Sequence, residues 1–142
     1  MSITIRAAML ADIDAIIDLW RSSNMLSQLN DPRQDLLFAL SGGASTVFVA
    51  VDEAGLIVGS VMVGHDGHRG NLYYVTVAPP FRLRGIGRRL VEMAERWLDD
   101  AGVRKVHLLV LDDNIAVLPF YEKLGYGRAP AALLRKWLMG RS

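Results

Sequence analysis

The sequence contains no cysteine, which excludes at once a disulfide scaffold, a thiol nucleophile, a cysteine-ligated zinc site and an iron–sulfur cluster. Long hydrophobic runs are missing as well. The longest, Ala7–Ala11 and Val47–Val51 among them, have five residues each, against the ~18 that a membrane-spanning helix requires. The opening MSITIRAAMLADID has no basic segment followed by an apolar stretch, so no secretory leader is expected and the reading is cytoplasmic. Repeats, low-complexity tracts and linkers are absent. What remains is a composition of 51% hydrophobic and 22% charged residues, that of an ordinary globular chain with no collagen-like or disordered bias. At 142 residues and 15.7 kDa, one domain spanning 1–142 is expected.

Charge is nearly balanced at +1, but it is not evenly spread. Up to Pro80 there are 4 basic and 8 acidic residues; after it, 12 basic and 7 acidic. The halves therefore carry −4 and +5. The second half is suited to an anionic partner, and the first to a cationic or neutral one, unless both are simply solvated faces.

Hydrophobic periodicity predicts a strand at Thr4–Ala7 and a helix through Ile13, Ile16, Ile17 and Trp20. A second helix runs through Leu36, Leu37 and Leu40 and stops at Gly42 and Gly43. Three β-rich runs follow, Val47–Val51, Leu56–Val63 and Leu72–Val77, joined by short polar turns that favour antiparallel pairing. Ile86, Leu90, Val91, Ala94, Trp97 and Leu98 then mark one face of a long helix ending before Gly102. Val106–Leu111 reads as a buried strand. A strand, a crossover helix and a strand make a βαβ unit, so the strands ending at Val77 and starting at Val106 should be parallel. The expected fold is α/β, with a mixed, mostly antiparallel sheet, a central parallel βαβ pair and flanking helices. A short helix over 115–124, closed by Gly125, and a last apolar segment at Leu133–Leu138 that completes the sheet finish the pattern.

The chemistry concentrates in Phe81-Arg82-Leu83-Arg84-Gly85-Ile86-Gly87-Arg88-Arg89, which has four arginines, two glycines and no acid. It lies after a strand and at the start of a helix, where unpaired N–H groups and the positive end of the helix dipole favour an anion. Glycine there lets a phosphate approach the backbone. The spacing fits neither Gly-x-x-x-x-Gly-Lys-Ser/Thr nor Gly-x-Gly-x-x-Gly, which argues against nucleotide hydrolysis and dinucleotide redox chemistry.

The stretch LYYVTVAPPFRLRGIGRRLVEMAERWL resembles the acetyl-CoA-binding core of the GNAT N-acetyltransferases, with Arg82, Gly85 and Gly87 at the positions of the motif Arg/Gln-x-x-Gly-x-Gly/Ala. A second landmark, LVLDDNIAVLPFYEKLGY, is similar to the family's strand, Asn and Tyr-bearing helix, through Asn114, Tyr121, Gly125 and Tyr126. The resemblance runs from about residue 3 to residue 138. NDP at Asn30–Pro32 and DGHRG at Asp66–Gly70 resemble the small bacterial YpeA-type branch. Leu83 stands where the family commonly has Gly, which implies a side chain turned to solvent while its N–H still serves. Pro119 fits a helix only within its first turn.

The resemblance implies the GNAT acyl-CoA N-acyltransferase fold and acetyl transfer from acetyl-CoA to a primary amine of a small molecule or protein, by direct attack in a ternary complex. Backbone groups of Val75 and Val77 would hold the pantetheine arm and acetyl carbonyl. The N–H groups of Arg82, Leu83, Arg84, Gly85, Ile86, Gly87 and Arg88 would cradle the pyrophosphate. Asn114 would hydrogen-bond the cofactor arm, and Tyr121 would protonate the departing thiolate. Tyr121 read alone is also an amphipathic core tyrosine, and Asn114 a turn or helix cap. The alternative function is a non-catalytic acyl-CoA-binding sensor or interaction domain.

No general base stands out, because the strand Leu72–Val77 carries no carboxylate. Asp31, Asp66 and His68 are the candidates for base or substrate contacts, with His65 beside them in the same turn. His65 and His68 lack helical spacing and further ligands, so no metal is expected. Trp20 and residues 25–29 would flank the substrate side, although Trp20 fits the helical core stripe equally well. Aromatics are not interleaved with the basic patch, so no nucleic-acid partner is expected, nor a membrane. The chain is read as a monomer or homodimer.

Overall fold

The computed structural model describes residues 2–27 and 30–138, so Gln28 and Leu29 of the expected substrate flank lie outside the described residues. The chain divides into two compact units, residues 1–109 and 110–142. The first holds a five-stranded sheet of order β1-β2-β3-β4-β5, formed by Thr4–Ala7, Ser45–Val51, Ile57–His65, Gly70–Val77 and Val106–Leu108. The first four strands pair antiparallel and β4 pairs parallel with β5, the mixed sheet that the βαβ pattern requires.

Helix α1, Ile13–Ser22, buries Ile13, Ile16, Ile17, Leu19 and Trp20, the stripe expected from i, i+3, i+4, i+7 spacing. Before it, Asp12 pairs with both guanidinium nitrogens of Arg6 at 2.7 and 3.0 Å and accepts the Met9 N–H at 2.8 Å. The Arg6 bond holds the Asp12 carboxyl below the ordinary range. Helix α2, Pro32–Leu40, starts as Asp31 accepts N–H bonds from Arg33 and Gln34 at 3.0 and 3.2 Å, with Pro32 at the first helical position, where no donor is needed. Helix α3, Ile86–Asp100, buries Ile86, Leu90, Val91, Ala94 and Leu98.

Neighbouring residues of a strand point to opposite faces, and β3 shows what each face meets. Ser60 reaches Trp20 of α1, while a Cβ on Gly59 would stand 3.0 Å from Leu90 of α3. The sheet is therefore sandwiched. Val47 and Val49 pack with α1 and α2 in one core cluster. Each fully buried Leu or Val contributes about 1.5–3 kcal/mol.

The strand expected at 106–111 is shorter, ending at Leu108, and Leu109 is exposed. The second unit has a 3-10 stretch, Asp112–Val117, and helix α4, Leu118–Lys123. Leu133–Leu138 forms no strand, contrary to expectation, and Leu133, Leu134 and Leu138 are exposed. The segment LLRKWL has no β-branched residue, and leucine, lysine and arginine give it little preference for a pleated strand. No helix among the described residues is long and apolar enough to cross a membrane.

Candidate active site

Strand β4 changes character halfway along. Gly70, Asn71 and Leu72 pair with β5 through Val106, His107 and Leu108, but β4 runs on to Val77 with no strand partner on that edge among the described residues. Its pairing with β3 shifts between Met62↔Tyr73 and Ser60↔Thr76, so Tyr74 and Val75 oppose Val61 alone. This is a β-bulge, a device that bends a strand and interrupts its ladder. Tyr74 sits there at φ 51°, the left-handed region that a bulky residue enters only when its surroundings fix it.

Side chains do the fixing. The Tyr74 ring stacks on Trp20 with centroids 3.7 Å apart and planes 8° off parallel. Buried Trp20 donates from Nε1 to Ser60 Oγ at 3.0 Å, and Ser60 donates to the Tyr74 carbonyl at 2.8 Å. The Tyr74 hydroxyl donates to Asp35 Oδ2 at 3.0 Å. Burial first, then the Asp35 charge, pushes the phenol up to about 12, so it keeps its proton.

Beyond the bulge, the Ala78 N–H donates to the Val58 carbonyl at 2.8 Å. Antiparallel alternation then turns the N–H and C=O of Val77 to the opposite, strand-free edge, which Val75 shares two residues earlier. The Val77 carbonyl there accepts Arg82 Nε at 2.9 Å.

The loop follows. Pro79–Phe81 forms one 3-10 turn, and the Arg82 N–H is taken by the Pro79 carbonyl at 3.3 Å. Arg82 thus contributes its side chain, and the amide cradle begins after it. Leu83 has φ 64° and a fully exposed side chain, as a residue standing in for glycine should. Gly85 is the N-cap of α3 at φ 79°. The Arg89 N–H donates to the Gly85 carbonyl at 3.1 Å, so the amides of Ile86, Gly87 and Arg88 precede the first intrahelical bond. The arginine side chains have their own partners: Arg84 lies 5.5 Å over the Phe81 ring, Arg88 is 3.7 Å from Glu92, and Arg89 donates to the Ile3 carbonyl at 3.0 Å. What this turn offers an anion is therefore its backbone N–H groups, with the guanidinium charges as a surrounding field.

Other expected residues lie elsewhere. Asp66 and His68 are exposed in the β3–β4 turn, at the Gly70 end of β4, roughly 20 Å of strand away from Val77. Asp66 is occupied by N–H groups of Arg69 and His68 at 2.8 and 2.9 Å, and these bonds lower its pKa. Asp31 is the α2 cap. Trp20 is core, as its spacing allowed, and through Ser60 it also holds the bulge. Ser60, Tyr74 and Asp35 stand in no motif of the sequence; the Tyr73-Tyr74 pair in the strand was the available signal.

In the second unit, Pro119 falls in the first turn of α4, where it is tolerated. Tyr121 is half-buried, edge-on to Phe120 at 4.9 Å and to Tyr126 at 5.9 Å, and burial raises its phenol pKa. The helix closes at Gly125, φ 97°. Asn114 is an exposed kink in the 3-10 stretch, φ −121° and ψ 24°, and does not cap α4.

Two concavities of the first unit lie away from the bulge. One, of about 460 Å³, separates Ile3–Ile5 from Arg89, Glu92, Met93 and Arg96. The other, about 510 Å³, lies between Met9, Leu10, Leu37 and Leu40.

Comparison with known proteins agrees on one family. A family model described as acetyltransferase (GNAT) family matches residues 13–126. An acetyltransferase of Pectobacterium atrosepticum is 42% identical over 128 residues, 90% of each chain. One of Yersinia enterocolitica is 38% identical over 135 residues, 95% of each. Among solved structures, an aminoglycoside N-acetyltransferase in complex with CoA superposes with a TM-score of 0.83 at 18% identity, over 96% of this chain and 95% of that one.

Proposed function

This chain belongs to the GNAT family of acetyltransferases, and on that premise we propose that it moves the acetyl group of acetyl-CoA to a primary amine by direct attack in a ternary complex. The observation that carries the reading is the second half of β4. A strand edge with free backbone donors leads, past a bulge, directly into an arginine-rich turn whose amides face no intrahelical partner. That sequence of groups fits an elongated ligand with an amide-bearing arm and a pyrophosphate. The CoA complex of the structurally similar aminoglycoside acetyltransferase supports the same cofactor here.

Bound acetyl-CoA supplies an acyl group already activated toward amines. The amides from Leu83 to Arg88 hold the pyrophosphate, and Gly85 and Gly87 keep Cβ atoms out of its way. Val75 and Val77 present backbone groups to the arm and the acetyl carbonyl. An N–H aimed at the developing oxyanion is worth about 3 kcal/mol of transition-state stabilisation. Arg82, by gripping the Val77 carbonyl, steadies that strand end. Asn114 is assigned a hydrogen bond to the cofactor arm. Tyr121 is assigned the proton that the leaving sulfur takes. A phenol is protonated at neutral pH, and because burial makes this one a weaker acid, transfer to a thiolate of pKa about 8.5 requires it to be positioned.

Calorimetric titration with acetyl-CoA and CoA, followed by thiol release against a panel of amines, tests the reading. Cofactor binding with amine-dependent release supports it; binding without release from any amine would favour an acyl-CoA sensor, and no binding would sink both. Tyr121→Phe should lower kcat roughly 100-fold or more with cofactor affinity within a few-fold. Gly87→Asp should instead weaken cofactor binding by setting a carboxylate against the pyrophosphate.

A further inference from the structure

The acidic first half of the chain resolves, residue by residue, into carboxylates already in use and one that is not. Asp12, Asp14 and Asp18 pair with Arg6, Arg33 and Arg21. Asp31, Asp52 and Asp66 accept backbone N–H bonds in a helix cap and two turns. Glu53 accepts the Ser2 N–H. Asp35 is the exception: its side-chain partner is the neutral Tyr74 hydroxyl, 39 residues away, and among the described residues no Lys or Arg forms an ion pair with it.

The bond to Tyr74 fixes where this charge stands. Tyr74 is the bulge residue, stacked on Trp20 and held at its carbonyl by Ser60. The phenol proton is directed to Asp35. Among the described residues the bond to Tyr74 engages Oδ2, and Asp35 is partly exposed. The Asp35 carboxyl group, oriented by this donor, thus stands one side chain away from the bulge of β4.

We propose that Asp35 is the specificity-determining residue for a cationic substrate: its carboxylate, presented by Tyr74 at the bulge of β4, receives the ammonium group of the amine. This rests on the acetyl-transfer reading and names the charge class that reading leaves open. Tyr74 is a positioning residue, because a phenol that holds its proton to about pH 12 is a donor and not a base.

The test is calorimetric titration of CoA-saturated protein with spermidine and with kanamycin, for wild type, Asp35→Asn, Asp35→Glu and Tyr74→Phe, with acetyl-CoA titrated separately into each. Asparagine keeps an acceptor for the Tyr74 proton and loses only the charge. At least one probe should bind wild type, and its Kd should rise roughly 10- to 100-fold in Asp35→Asn, less in Tyr74→Phe, and recover in part in Asp35→Glu. Acetyl-CoA affinity and thermal midpoint should stay unchanged in Asp35→Asn. No binding of either probe by wild type, or equal affinity in Asp35→Asn, overturns the proposal. Failure of acetyl-CoA to bind wild type would sink the acetyl-transfer reading, and it is read in a separate titration from the amine affinities.

Discussion

The two ends of strand β4 are held by different means. At Gly70 the strand is paired on both edges, to His65 and to Val106, and its N–H donates to the Lys105 carbonyl at 2.9 Å. Helix α3 presses close there, since a Cβ on Gly70 would stand 2.6 Å from Leu98 Cδ1. At Tyr74–Val77 only β3 is a partner, and the backbone is bent into a bulge at positive φ. The order that a second strand would impose comes instead from Trp20, Ser60, Asp35 and Arg82. One end commits its backbone groups to the sheet; the other leaves the N–H groups of Val75 and Val77 without a strand partner among the described residues and is held by side chains.

Breaking the closed end should have the largest effect on stability. Gly70→Val drives a Cβ into buried Leu98 and should cost about 2–3 kcal/mol, read as a lower urea midpoint, with acetyl-CoA affinity little changed in the folded fraction. Ser60→Ala breaks the open end. It removes the acceptor of Trp20 Nε1 and the donor to the Tyr74 carbonyl, so about 2 kcal/mol of stability is expected to go. Unlike the glycine variant, it should also lower kcat/KM, because the bulge loosens. Similar kinetics for the two variants would erase the distinction drawn between the ends. Gly85→Ala, forced to φ 79°, should lose about 1–2 kcal/mol and weaken acetyl-CoA binding several-fold in calorimetry. Leu83→Gly is expected to be the mildest. Its exposed side chain is no part of the packing, so relief of φ strain and added chain entropy should offset to within about 0.5 kcal/mol, with cofactor affinity unchanged.

The same contrast explains what could be read from the sequence. The closed end and the loop are local: a β-rich run gave β4, the βαβ rule gave its parallel partner, and Arg82, Gly85 and Gly87 marked the turn because a helix start and its N-cap are neighbours in the chain. The open end is not local. Ser60 lies 40 residues from Trp20, and Asp35 lies 39 from Tyr74, so no periodicity links them. A bulge at a tyrosine leaves no glycine as a marker. Asp35 sat unnoticed among eight acids because only ion pairs and bonds from backbone N–H groups, once seen, account for the other seven. Leu133–Leu138 misled through hydrophobicity alone, without the β-branched side chains of a strand.

Amide hydrogen exchange, followed residue by residue with and without acetyl-CoA, tests the central claim most directly, since protection reports which backbone groups a ligand covers. New protection is expected at Val75, Val77 and Leu83–Arg88, and none at Gly70–Leu72, whose amides already belong to the sheet. Protection that appeared instead along Ile3–Ile5, or no change anywhere in β4 and the loop, would contradict it.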